Sequence, residues 1–330
     1  MPDALRLPLR LAPRLVPRVW GGGRLPALHG VAWEAPPGSD PVGESWLADG
    51  ASVVVGGPLA GATVAELAER YGRDLLGEAS TARYGRRLAL LVKLLDAADD
   101  LSVQVHPDDD YALSREAGTG HLGKAEAWYV LRAAPGAAVL RGFVRDVTAA
   151  EVRAAALDGT LPDLLRRVPV GPGDVVVNPP GTVHAVGAGL LLYEVQQSSD
   201  ITYRLFDYGR VDAAGRKREL HLDKALEVAD LSASPATLEP APTRVPGAWR
   251  RLVTRPEFVL DAALLAGDAR VGGETTAASC AVLTVVEGAA ELSTGDEALA
   301  LDTGDTVLLP AALGGYALAG EGEVLRAAVA

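Results

Sequence analysis

The stretch Leu101–Tyr129, LSVQVHPDDDYALSREAGTGHLGKAEAWY, decides how the chain folds. Its first residues alternate: Ser102, Gln104 and His106 leave one face of a strand, and Val103 and Val105 leave the other. A strand buried on both sides would carry apolar groups on both faces, so the polar row marks a site. The end of the stretch alternates again. Lys124, Glu126 and Trp128 share one face, and Ala125, Ala127 and Tyr129 share the other. Two strands that turn ligand-type side chains to one side form two walls of one pocket. A third wall is offered by Gly173–Val186, GDVVVNPPGTVHAV, where His184 follows a Pro-Gly turn on a β-rich run.

A metal ion explains this pattern best. Imidazole and carboxylate suit zinc, and a glutamine amide oxygen is an unusual but workable addition. The expected ligands are Gln104, His106, Glu126 and His184. Only one of them is anionic, so a bound ion keeps positive charge, as a Lewis acid facing an oxygen-rich substrate needs. A single histidine on a strand is more often packed or at the surface. Glu126 and His184 lie far in sequence from the Gln-x-His pair, so spacing alone leaves a structural role open.

Composition bounds the rest. The apolar share of 48% supports sizeable cores, but with three Phe and one Met they must be built from Leu, Val and Ala. The net charge of −12 argues against nucleic acid as a partner and requires a local basic pocket for any anionic substrate. Cys280 is the single cysteine, which excludes an internal disulfide and a cysteine-based zinc site and suits a cytoplasmic protein. No apolar run is long enough to span a membrane. The Arg-rich start, MPDALRLPLRLAPRLVPRVW, is broken by prolines and reads as an edge strand rather than a targeting segment. A monomer or weak homo-oligomer is expected.

Along the chain, Gly43-Glu44-Ser45-Trp46 ends a β region that starts near Gly30, and Glu44 is either a pocket residue or a solvated carboxylate. Thr63-x-x-Glu66 and Thr148-x-x-Glu151 are capping boxes, the first opening a helix that runs to Gly77. Leu88–Leu95 is an apolar strand interrupted by Lys93, which must snorkel or find an anion. Glu194, Asp200 and Arg204 share a face if the strand beginning at Leu190 continues through Ser198-Ser199. Residues 231–247 are rich in Pro, Ser and Ala and read as a connector. Beyond them, Phe258–Leu265, Val282–Val286, Ala289–Ser293, Ala298–Leu301 and Thr306–Leu309 read as short strands.

An internal echo joins the halves. Gly173-Asp174-Val175-Val176-Val177-Asn178-Pro179 resembles Gly304-Asp305-Thr306-Val307-Leu308-Leu309-Pro310, but only the first copy leads to a histidine. The expected fold is mainly β: two jelly-roll β-barrels with short helices packed on the first. Residues 1–230 form the catalytic domain, 231–247 the linker, and 248–330 a degenerate domain without metal ligands.

The motifs LSVQVHPDD, GKAEAWYVL, PPGTVHAV and YEVQQSSDITYRLFDYGR resemble the type I mannose-6-phosphate isomerases, especially their short bacterial form. The resemblance implies a zinc-dependent cupin that interconverts mannose 6-phosphate and fructose 6-phosphate. It places the zinc ligands at Gln104, His106, Glu126 and His184, and active-site residues at Lys124, Glu194, Asp200 and Arg204. The chain departs from the family at Leu47, where an acidic residue usually follows the tryptophan, and in lacking the long helical domain of larger members. Lys93 and Arg204 are the candidates for phosphate contact.

The implied chemistry moves a proton from C2 to C1 through an enediol. Lys124 and Arg204 would stabilise negative charge on oxygen, and Glu194 or a Lys124 of depressed pKa would act as base. Asp200 would assist ring opening or orient Arg204, with a structural ion pair as the alternative. A non-catalytic sugar-phosphate-binding cupin and a metal-dependent cupin oxygenase are the competing functions.

Overall fold

The computed structural model describes residues 3–34, 36–235, 238, 243–295 and 297–330. Among these residues the strands form three sheets. A six-stranded sheet runs in the order Arg14–Pro17, Val42–Ala48, Leu90–Ala97, Leu190–Gln197, Glu126–Ala133, Val175–Asn178. A five-stranded sheet runs Tyr203–Phe206, Val103–Val105, His184–Val186, Ala138–Phe143, Leu165–Pro169. All neighbours in both are antiparallel.

The two sheets close on a shared core. Leu95, Trp128, Val130, Val176 and Leu192 from the first meet Val139, Val168 and Val186 from the second. The outer faces are covered by different elements. Val103, Val105, Ala185 and Leu205 pack under Val152, Ala155 and Ala156 of the helix Ala149–Asp158. On the other side, Val92, Leu94, Ala127 and Val195 pack against Leu67, Leu75 and Leu76 and against Leu260, Val282, Leu308 and Leu325 of the C-terminal sheet. The helices therefore cover sheets, as their apolar stripes require.

Both capping boxes form. Thr63 and Glu66 cap Val64–Tyr71, and Thr148 and Glu151 cap Ala149–Asp158. The first helix is shorter than expected. Gly72, at φ +50°, breaks it before Arg73–Leu76, and a further helix spans Glu78–Tyr84. Among the described residues no strand runs from Gly30; the strand expected there begins at Val42. The Arg-rich start supplies edge strands to two sheets. Arg14–Pro17 ends the six-stranded sheet, while Leu9–Leu11 pairs with Thr306–Leu309.

Among the described residues the C-terminal sheet has eight strands. Two expected strands are one, Ala281–Thr294, bent where its register shifts between Val285 and Glu287. Gly288 sits at that bulge at φ +75°, and a Cβ there would meet the Glu321 carbonyl oxygen at 1.9 Å, so only glycine fits. The strand's main partner, Gly315–Val329, was not expected, because GYALAGEGE carries turn-like glycines. Of the connector, residues 236, 237 and 239–242 lie outside the described residues. Its described ends are tied down, Ala233 bridging Phe143 and Pro246 bridging Leu264.

The internal echo is structural. Gly173 and Gly304 both adopt φ +94°. In each copy the aspartate carboxylate accepts a backbone N–H three residues back, Asp174 from Gly171 at 2.7 Å and Asp305 from Asp302 at 2.8 Å. Each turn then feeds a strand, Val175–Asn178 or Thr306–Leu309. The same turn chemistry built twice is the mark of related β units in one mainly β cupin architecture.

Candidate metal centre

Strand register assembles the site. On the five-stranded sheet, Gln104 lies directly between Arg204 and His184, so three strands present one polar row. On the six-stranded sheet, Glu194 lies between Lys93 and Trp128, and Glu126 lies between Gln196 and Asn178. These rows face each other at one end of the core. His106 follows directly on Val103–Val105.

His106, Glu126 and His184 are buried, and one ligand atom from each lies within 4.8 Å of the others. His184 Nε2 is 2.9 Å from Glu126 Oε1, and His106 Nε2 is 3.4 Å from Glu126 Oε2. Both rings are fixed from behind. His106 Nδ1 is 2.8 Å from the Ile201 carbonyl and His184 Nδ1 is 2.9 Å from the Thr182 carbonyl. A carbonyl can only accept, so each Nδ1 carries the proton and donates it. Each Nε2 therefore turns a lone pair toward the same carboxylate. Two imidazole lone pairs and a carboxylate converging on one point are what a divalent cation takes as ligands. Burial, followed by the charge of Lys124, pushes the His106 pKa down to about 3 and keeps the imidazole neutral, as a ligand must be. Burial would raise the Glu126 pKa, but the Lys124 ammonium holds it well below the usual carboxylate range. The residues present fit a metal ion.

Gln104 joins the group through His184, its amide nitrogen 3.4 Å from Nε2, while its Oε1 faces the Ser102 hydroxyl at 3.5 Å. Lys124 Nζ stands 2.9 Å from Glu126 Oε2 and 3.1 Å from His106 Nε2. Burial disfavours its ammonium, but Glu126 and Glu194 prevail and its pKa is raised, opposite to the depression expected of a lysine base.

Gln104 and Lys124 also line a cavity of about 440 Å³, with Arg18, Glu44, Lys93, Glu194, Asp200 and Arg204 around it. Glu194, Asp200 and Arg204 do not share one strand. Leu190–Gln197 ends before the serines, and the chain crosses to the other sheet, where Tyr203–Phe206 begins. The crossing still brings all three to the same cavity. Glu194 is buried between Lys93 Nζ at 3.4 Å and Trp128 Nε1 at 2.9 Å. Burial and then the charge of Glu126 raise its pKa. Lys93 thus finds the anion that its place in an apolar strand demands, and its ammonium also lies 4.9 Å over the Trp46 ring.

Arg204 is different. Its guanidinium donates to Ser102 Oγ at 3.3 Å and the Glu219 carbonyl at 2.9 Å, and among the described residues it makes no ion pair, with Asp200 or any other carboxylate. Burial, then Arg218, Arg18 and Arg210 nearby, lower its pKa despite Asp207.

Arg18 and Arg218 were not singled out from the sequence. Arg18 binds Glu44 through Nε at 2.9 Å and Nη2 at 3.0 Å, and Trp46 Nε1 donates to the same carboxylate at 2.7 Å. Burial would raise the Glu44 pKa, but Lys93, Arg18 and Trp46 hold it at about 2. The signal for Arg18 was Glu44 itself, since a carboxylate on a buried strand calls for a cation. Arg218 is held by Asp207, with Nε 2.8 Å from Oδ2.

Comparison with known proteins agrees with this geometry. Residues 9–154 match the model of the phosphomannose isomerase type I catalytic domain, and residues 265–329 match that of the mannose-6-phosphate isomerase cupin domain. The chain is 37% identical to mannose-6-phosphate isomerase ManA of Bacillus subtilis, over 96% of this chain and 98% of that one. It is 35% identical to the mannose-6-phosphate isomerase of Streptococcus mutans, over 96% and 97%. A crystal structure of the mannose 6-phosphate isomerase from Bacillus subtilis superposes with a TM-score of 0.84 at 32% identity, covering 97% of this chain and 99% of that one. The fold recurs in a putative mannosephosphate isomerase from Archaeoglobus fulgidus, at TM-score 0.77 and 24% identity over 98% of both chains. The chain belongs to the type I mannose-6-phosphate isomerase family.

Proposed function

We propose that this protein interconverts mannose 6-phosphate and fructose 6-phosphate through an enediol, with a zinc ion held by Gln104, His106, Glu126 and His184. The observation that carries the reading is the pair of buried imidazoles and one carboxylate converging within 4.8 Å, beside a cavity lined by both cations and carboxylates. When bound, the zinc supplies Lewis-acid stabilisation of negative charge on substrate oxygen.

The protein's own groups do the rest. Glu194 is the base we favour: burial raises its pKa, and Lys93 and Trp128 hold it in one orientation. It takes the proton from C2 and returns it to C1, while the hydroxyl proton on O2 passes to O1. Lys124 stays an ammonium ion and stabilises the enediolate oxygens. Arg204 carries a guanidinium without a carboxylate partner among the described residues, near three other arginines, and this corner suits a phosphate dianion. Asp200, at the cavity edge, assists ring opening.

Among the described residues no helix is long and apolar enough to cross a membrane. We place the enzyme in the cytoplasm, a reducing compartment that suits the free, buried thiol of Cys280, and read it as a monomer or weak homo-oligomer. The test is fructose 6-phosphate formation from mannose 6-phosphate, read by a coupled assay on protein of known metal content. A metal-loaded protein that forms none would refute the reading.

A further inference from the structure

We infer that Asn178 is a positioning residue for the metal-binding carboxylate of Glu126. Asn178 is 1% exposed and pairs with Glu126 across neighbouring strands. Its Nδ2 lies 3.5 Å from Glu126 Oε1. The other nitrogen near that oxygen, His184 Nε2 at 2.9 Å, belongs to a ring whose Nδ1 faces the Thr182 carbonyl, so as a metal ligand it presents a lone pair there and not a proton. The Asn178 amide is thus the N–H that can fix which way this oxygen turns. Asn178 also opens the turn Pro179-Pro180-Gly181 that leads to His184, so one side chain ties two of the ligand-bearing segments together.

The fold itself does not need this amide. In the second copy of the turn the same position is Leu309, fully buried and packed in the C-terminal core. That copy leads to no histidine. The amide is moreover costly where it stands: Asn178 Oδ1 is buried and accepts no hydrogen bond among the described residues. An unsatisfied buried acceptor is destabilising, because its water partner is lost and not replaced. A residue kept for packing alone would be better as leucine, so the benefit must lie with Glu126. Groups that orient a metal ligand typically change metal affinity about 10- to 100-fold when removed.

This inference rests on the metal-binding part of the proposed function and not on the sugar substrate. It is tested in the full-length protein with Asn178→Leu and Asn178→Ala, using zinc alone as the probe. Zinc affinity is measured by competition with a chromogenic chelator, and the melting temperature is measured with chelator present. We expect affinity to fall about tenfold or more in both variants, while chelated Asn178→Leu melts at or above the parent's temperature. The cobalt-substituted variants should also show a shifted visible absorption band, reporting altered coordination. Affinity within about twofold of the parent overturns the inference. So does a loss of affinity matched in both variants by a fall in melting temperature of the chelated protein, which would mark Asn178 as structural. A parent protein that binds no zinc would instead refute the metal site itself.

Discussion

His184 Nε2 and Glu126 Oε1 stand 2.9 Å apart, and the Thr182 carbonyl takes the Nδ1 proton on the far side of the ring, so a neutral His184 offers only a lone pair here. Two buried acceptors are held face to face by strands whose register leaves them little room to part. A divalent cation converts this repulsion into attraction. Removing it with a chelator should therefore lower the melting temperature and abolish activity together, and zinc should restore both. His184→Ala and His106→Ala should copurify with little zinc, measured by elemental analysis. Gln104→Ala should lose less, since Gln104 reaches the cluster only through His184.

Arg204 offers a separable prediction. It contacts none of the three clustered ligands, so Arg204→Ala should keep its metal. Without its guanidinium the cavity loses a cation that needs no carboxylate to be displaced first. KM for the sugar phosphate should rise at least about tenfold, with kcat falling as well, since charge-assisted hydrogen bonds contribute roughly 1.5–3 kcal/mol each. Steady-state kinetics on metal-quantified protein check this, and unchanged constants would remove Arg204 from the site.

Glu44 makes stability depend on pH. Its pKa is about 2 in the folded protein against 4.5 for the free group, so folding favours the carboxylate. The stabilisation is present above pH 4.5 and is lost as the pH falls toward 2. The shift corresponds to roughly 3 kcal/mol. Denaturant titrations of the parent and Glu44→Gln should differ most at neutral pH and converge as the carboxyl protonates. A difference that stays constant down to pH 2 would contradict this.

Glu323 should tie the C-terminal sheet to the catalytic one. It is buried, accepts from Tyr129 Oη at 2.7 Å and is 2.6 Å from Arg250 Nη2. Tyr129 lies on the strand that begins with Glu126. Breaking a buried charged network costs about 3–5 kcal/mol. Glu323→Ala should therefore lower the urea midpoint substantially, while Glu321→Ala, at an exposed position of the same strand where the carboxylate accepts only the Gly267 N–H, should change it far less.

Much of the site was legible because alternation has only two phases. Once Val103 and Val105 face a core, Gln104 and His106 must face away together, and the same logic placed Glu126 and Trp128, whereas Lys124 reaches the site from the segment just before that strand. The capping boxes were legible because they act within one turn. Readings that needed long-range information failed. Nothing local told that the chain leaves one sheet after Gln197 and enters the other at Tyr203, or that Gly288 bends a strand instead of ending it. Arg18 was hidden for the same reason, since its role is fixed by Glu44 on the neighbouring strand.

Metal content and isomerisation measured on one sample test the central claim most directly. We predict one equivalent of zinc per chain, and mannose 6-phosphate conversion that disappears in proportion as the metal is withdrawn and returns when it is added back. Undiminished conversion by protein stripped of metal would contradict the account.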